Sequence, residues 1–179
     1  QCKGESLCFV ESIDEKGSLL IQTIKFESSK VSCNWIVDRK RKFLYSTSMP
    51  SRVLDSIGTK EYVITKFKLP SLEKSKIVLT KDDILEQFTI RYPNVQQGGA
   101  IKDSYLYLPV GLHEFKGSEK RSDAERAIII VNLKTKMIER TININSMVKE
   151  EPEDVSFYKN NLLLYCGQEG GLTKIALSD

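Results

Sequence analysis

Glu150-Glu151-Pro152-Glu153-Asp154 places four carboxylates in five consecutive residues. Carboxylates that converge can hold Ca²⁺ through oxygen ligands, or work as acid and base on a glycosidic bond. A solvated acidic turn accounts for the same run. Glu151 and Glu153 repel one another unless a cation, an arginine or a shared proton intervenes, which favours a cation or a hydroxyl-rich ligand beside them. A second polar stretch supplies Arg91, Tyr92, Asn94, Gln96 and Gln97, and a third supplies Ser32 and Asn34 just ahead of Trp35. Amides donate and accept, and a guanidinium pairs bidentately with a carboxylate. With aromatic faces nearby, these residue types suit sugar or carboxylate recognition.

Other chemistries find little support. A nucleophilic Ser-His-Asp site needs a base beside its nucleophile. The single histidine, His113, lies in a polar stretch between Val110 and Arg126, where a solvated loop residue is the plain expectation. No GxSxG elbow, Walker A loop or dinucleotide fingerprint is present, and the pairs Gly98-Gly99 and Gly170-Gly171 read as turns. Cys2, Cys8, Cys33 and Cys166 show no C-x-x-C spacing, so a structural zinc site is not expected and their disulfide state stays open. With 27 Lys plus Arg against 24 Asp plus Glu, the net charge is +3, too small to argue for nucleic acid. The dense basic run Arg39-Lys40-Arg41-Lys42 lies between apolar segments and reads as a solvated β-turn. No apolar run approaches the roughly 20 residues of a membrane span. The chain begins Gln1-Cys2-Lys3, so an upstream portion or leader is expected to have been removed.

The elements that must carry these residues are short and apolar. Leu7-Cys8-Phe9-Val10, Trp35-Ile36-Val37, Tyr105-Leu106-Tyr107-Leu108 and Ala127-Ile128-Ile129-Ile130-Val131 are examples. They are rich in β-branched and aromatic residues and bounded by Gly, Asn, Asp, Ser and Lys, the pattern of strands. The one helical spacing is Ile84, Leu85 and Phe88 within 81–88, which predicts a short helix or turn capped by Asp82 or Asp83.

The strands recur in a fixed order. Trp35–Asp38 with Phe43–Ser46, Ala100–Lys102 with Tyr105–Tyr107, and Val155–Tyr158 with Asn161–Leu164 each form a tight hairpin. A third strand follows each one: Tyr62–Leu69, Ala127–Leu133 and Leu172–Leu177. In the first two units Lys76–Thr80 and Met137–Ile142 read as fourth strands. Tyr45 and Tyr107 are about 62 residues apart and Tyr107 and Leu164 about 57. A repeated four-stranded antiparallel unit of this size is what a β-propeller blade looks like. The expected fold is therefore all-β, with about three blades. Residues 1–29 would be outer strands of a first blade, 30–80 and 97–145 two full blades, and 151–179 a last blade without its outer strand. So few blades do not close a ring, so the chain would be half of a propeller, or would dimerise to complete one. A β-sandwich with irregular hairpins is the alternative.

Gln97-Gly98-Gly99-Ala100, Ile128–Lys136 and Glu151–Tyr158 resemble blade sequences of six-bladed β-propellers exported by gut Bacteroidetes and their relatives. The resemblance spans residues 30–177 and departs from the family at Asp154, where glycine is usual. It implies an exported protein whose partner is the remainder of the ring or a second chain. It says little about function, since propellers host hydrolases, lyases and plain scaffolds. Within such a ring, Asn34, Arg91, Tyr92, Gln97, Glu151 and Glu153 would meet at one mouth of the central channel. The favoured expectation is a non-enzymatic binding or interaction module, its ligand unidentified and glycans one candidate. A carbohydrate-active hydrolase or lyase with carboxylates at the channel mouth is the alternative. No cofactor and no metal ligand set are expected; Ca²⁺ at the channel is the one ion the rim would suit.

Overall fold

The computed structural model of the chain describes residues 7–27, 33–49, 59–94, 96–111, 115–116, 119–120, 125–167 and 171–175. The strands, in order, are β1 (Leu7–Asp14), β2 (Gly17–Phe26), β3 (Cys33–Asp38), β4 (Phe43–Ser48), β5 (Lys60–Lys68), β6 (Lys76–Leu79), β7 (Ile84–Tyr92) and β8 (Ala100–Lys102). There follow β9 (Tyr105–Val110), the two-residue pair β10 (Phe115–Lys116) and β11 (Glu119–Lys120), β12 (Ala127–Asn132), β13 (Met137–Asn143), β14 (Pro152–Tyr158), β15 (Asn161–Cys166) and β16 (Gly171–Ile175). The protein is all-β: among the described residues the only helical element is a single 3₁₀ turn, Lys81–Asp83. No described helix is long and apolar enough to cross a membrane.

The strands divide between two compact units, residues 1–52 with 61–89 and residues 53–60 with 90–179, so that β7 spans a boundary between them. The first unit is built from β1 to β6 and most of β7. One of its sheets runs β3-β4-β5-β7, and the other runs β1-β2-β6. The hairpin β1–β2 turns at Asp14–Gly17, where Asp14 Oδ1 accepts from Lys16 N at 2.8 Å and Gly17 takes φ +132°. Arg39–Lys42 is a turn between β3 and β4, as its composition predicts. Buried Asp38 anchors it, accepting from Arg41 N at 3.0 Å and pairing with Arg41 Nη1 at 3.2 Å.

Two expectations fail in this unit. Lys76–Thr80 is not the fourth strand of the β3-β4-β5 sheet. As β6 it leaves that sheet and pairs parallel to β2, with Thr23 opposite Lys76 and Phe26 opposite Leu79. The buried Gln22 side chain directs it there, since its Nε2 donates to Ser71 O and Lys74 O, both at 2.7 Å, and so ties down the approach to β6. The place beside β5 goes instead to β7, the segment whose spacing resembled a helix. A separation of four is even, so Ile84 and Phe88 fit a period of two as well as one of 3.6. The strand alternates accordingly, with Ile84, Phe88 and Ile90 turned inward and Leu85 57% exposed. The cap of the short turn is Thr80, not Asp82 or Asp83, although Asp83 closes a capping box with it.

The two sheets of this unit pack through Ile24, Phe26, Leu44, Phe67 and Leu79. Phe67 sits at the centre, edge-on to Phe26 at 5.0 Å and tilted against Trp35 at 6.2 Å. The Trp35 indole N–H is enclosed without a hydrogen-bond partner.

The second unit repeats the plan. The order β8-β9-β12-β13 makes one antiparallel sheet and β14-β15-β16 another. Asp103 and Ser104, both at positive φ, form the two-residue turn between β8 and β9, a conformation whose twist matches that of the flanking strands. The two sheets meet through Tyr107, Ile128, Ile130, Val155, Leu162 and Leu164, with the Phe157 ring edge-on to Tyr107 at 4.9 Å. The other face of the β8–β13 sheet, with Leu106, Leu108, Ile129 and Val131, is equally buried. That explains the unbroken apolar run of β12, which alternation on a one-sided sheet would not require. The first strands of three successive sheets, β3, β8 and β14, lie in separate sheets, each at an edge.

Phe67→Ala empties the middle of the first unit and should cost about 3–5 kcal/mol, whereas Leu172→Ala, on an exposed position, should stay within about 0.5 kcal/mol. Chemical denaturation of both variants checks this. The Tyr45 hydroxyl is pushed up to about 12 by burial first and by Asp38 next, with Arg41 opposing and Glu86 adding. Because its folded value lies above the ordinary 10, the stability it contributes is complete below pH 10 and lost as the pH rises through about 12. Ultraviolet titration should show a late-ionising component in this window that Tyr45→Phe diminishes by one tyrosine.

Candidate functional site

At one end of the second unit, β8 and β14 begin while β9 and β15 end. The backbone arriving at β8 is fixed by Gln96, which bridges to Val110, and by Gln97 N, which donates to Pro109 O at 3.1 Å. The Gln96 side chain folds back to donate to Gly98 O. Facing this corner is the acidic run, whose carboxylates are largely occupied. The Gln97 amide donates to Glu151 Oε1, and the Glu151 carbonyl accepts from Gly167 N at 3.0 Å. Asp154 Oδ1 accepts from Gly99 N and from Val155 N, each at 2.8 Å. Glu153 lies against Gly167, where a β-carbon would collide with its carboxylate.

Gly98 is required twice over. Its φ is +45°, and a β-carbon there would meet Asp154 Oδ1 and stand 2.5 Å from the Glu153 carbonyl oxygen. Asp154 thus ties the start of β14 to the start of β8. A glycine could not supply that carboxylate.

Of the six residues that the sequence nominates, Gln97 and Glu151 touch, and Glu153 shares their corner. Tyr92 is half-buried; burial first and Glu125 second push its ionisation up, with Thr141 opposing. Arg91 is exposed on β7. Asn34 is a half-buried residue of β3, opposite Thr47 in the first unit. His113 lies outside the described residues. Among the described residues no group of three or more His, Cys, Asp or Glu is arranged to hold a metal ion. Cys8 and Cys166 are free thiols. Burial pushes the Cys166 thiol up, Glu150 and then Glu153 add to the shift, and Arg126 opposes it.

Arg126 was not among the nominated residues. It directly precedes β12 and is only 7% exposed. Its backbone N donates to Asn145 Oδ1 at 2.7 Å and its carbonyl accepts from Ile144 N at 2.9 Å. The signal in the sequence was a single charge abutting the apolar run Ala127–Val131, a place where a solvated side chain is the usual expectation.

The corner makes a sharp prediction about what its polar residues do. Gly98→Ala should destabilise the protein by about 2 kcal/mol or more through strain and collision. Asp154→Ala should cost about 1–3 kcal/mol by stranding two amides, while Asp154→Asn, which keeps an acceptor oxygen, should cost less. Thermal unfolding of the three variants measures the order.

The chain matches no protein-family model and no curated protein. What it does must therefore be argued from its own geometry.

Proposed function

We propose that the chain is a non-enzymatic binding or interaction module of β-propeller type, its successive sheets serving as blades. The observation that carries this reading is the repeated sheet whose first strand in sequence lies at an edge, as β3, β8 and β14 do. The burial of the β8–β13 sheet on both faces supports it, because an inner blade is covered from both sides whereas each sheet of a two-layer sandwich is covered on one.

A partner that completes the assembly belongs to the same proposal. On the β14-β15-β16 sheet, Leu162 and Leu164 point into the core. Tyr165 and Leu172, paired across β15 and β16 on the opposite face, are 45% and 67% exposed. Phe9 on β1 is 55% exposed. Apolar faces of this kind are what further blades, or a second chain, would cover. The location proposed with it is the exported one implied by the family resemblance.

For the ligand, hydroxyl-rich glycans remain the proposed class, since the acidic corner with its amides favours neutral polyols over anions. Engagement of Glu151 by Gln97 weighs toward binding over acid–base catalysis. The proposal is tested by sedimentation of purified residues 1–179 and by a glycan array. Self-association, or capture of a chain that completes the ring, is expected, and a stable monomer with no partner would overturn the blade reading. On the array, Glu153→Gln and Arg91→Ala should each weaken wild-type binding about tenfold, in line with the loss of one charged hydrogen bond. Hydrolysis or cleavage of an arrayed glycan would replace binding with the carbohydrate-active reading.

A further inference from the structure

Arg126 is more than nine-tenths buried, yet among the described residues no hydrogen bond or ion pair holds its guanidinium. The hydrogen bonds it makes among the described residues are its two backbone ones. A guanidinium keeps its charge at every accessible pH and offers five N–H donors in a rigid fork. Largely buried and without a protein partner, it is a costly group for a protein to carry. The stem is packed beneath Gly111, at φ +124°, where a β-carbon would stand 3.0 Å from Arg126 Cα and 3.1 Å from Cγ. Among the described residues Trp35 Nε1 is the one fully enclosed side-chain nitrogen or oxygen without a partner, so the Arg126 nitrogens do not fall in that class.

We infer that Arg126 is the anchor of a binding site for a singly charged carboxylate, at the end of the second unit where β12 begins and β15 ends. Two nearby protein carboxylates are spoken for: Glu151 takes the Gln97 amide, and Asp154 takes two backbone amides. Others set the charge the site tolerates. Glu150, Arg126 and Glu153 all act on the same Cys166 thiol, two of them raising its ionisation and one lowering it. An incoming anion therefore feels two negative charges as well as the guanidinium, which penalises a dianionic phosphate more than a carboxylate. A carboxylate also matches the planar fork with two parallel N–H···O bonds. The site stands on the second unit's own geometry and holds whether or not the sheets are blades of a ring.

The test is thermal unfolding of the full chain at constant ionic strength, set with chloride, in the presence of acetate, glucuronate, inorganic phosphate at pH 8, and glucose. Acetate and glucuronate should raise the melting temperature of the wild type, since a ligand that binds only the folded state stabilises it. Phosphate should raise it less, and glucose not at all. Arg126→Met should abolish the response and, without added anion, should melt at or above the wild-type temperature, because it removes an unpaired charge. Arg126→Lys keeps the charge and most of the stem, and should bind glucuronate about tenfold more weakly for loss of the fork. The inference is overturned if no carboxylate shifts the wild type, if Arg126→Met responds equally, or if phosphate acts more strongly. It is overturned as well if Arg126→Met fails to fold or melts well below wild type in the absence of anion, for then the arginine serves only the fold. None of these results bears on the glycan array, which probes Arg91 and Glu153.

Discussion

A sheet of three or four short strands with one apolar face must bury that face against another element. Everything else in this protein depends on that constraint. Each sheet has to find a neighbour, and each compact unit is the minimal answer, two sheets laid face to face around one set of aromatic and aliphatic side chains. In the first unit Phe67 fills the centre, and in the second Tyr107 and Phe157 meet edge to face. Side chains on a strand alternate, so a sheet that buries one face leaves the other to be solvated or covered. In β12 both faces are covered, whereas β15 and β16 leave Tyr165 and Leu172 to solvent. The same pleat that builds the core therefore decides which surfaces remain available.

The polar chemistry follows from where strands start and stop. Strand ends expose backbone amides and carbonyls that no ladder satisfies, and the second unit gathers several such ends in one corner. Asp154 and the Gln97–Glu151 pair satisfy them there. Carboxylates that in isolation look like ligands for a cation or a sugar are thus partly consumed in holding two sheets together. Arg126, nearby in sequence terms only to an apolar strand, is the group left over.

The hairpins β3–β4, β8–β9 and β14–β15 were legible in the sequence because their period-two alternation and their turns agree with the fold. The strands β5, β12 and β16 were legible for the same reason. The second face of β12 could be suspected from its unbroken isoleucines. What could not be read was set by contacts distant along the chain. Gln22 looks like any polar residue in a strand, but its two bonds to Ser71 and Lys74 carry β6 away from its expected sheet. Ile84 and Phe88 satisfy both helical and extended periods, and the vacancy beside β5 decides between them. At the corner, Gln97, Glu151 and Glu153 were nominated for a ligand, and the structure places them together with a structural duty. Asp154 registered only as a departure from a glycine, and Arg126 not at all, because burial of a single charge has no periodicity to betray it.

The parallel pairing of β6 with β2 also bears on the order in which the chain can assemble. Thr23 and Lys76 are partners although about 50 residues separate them, a distance whose closure is slow compared with a hairpin. As the polypeptide emerges from the ribosome, β1 and β2 can join at once, but the far edge of β2 waits until β3, β4 and β5 have followed. Through that interval an apolar hairpin offers an unpaired edge, the feature by which nascent β-proteins most readily associate with one another. Lys25, set between Ile24 and Phe26 on β2, pairs with Val78 once that edge is filled.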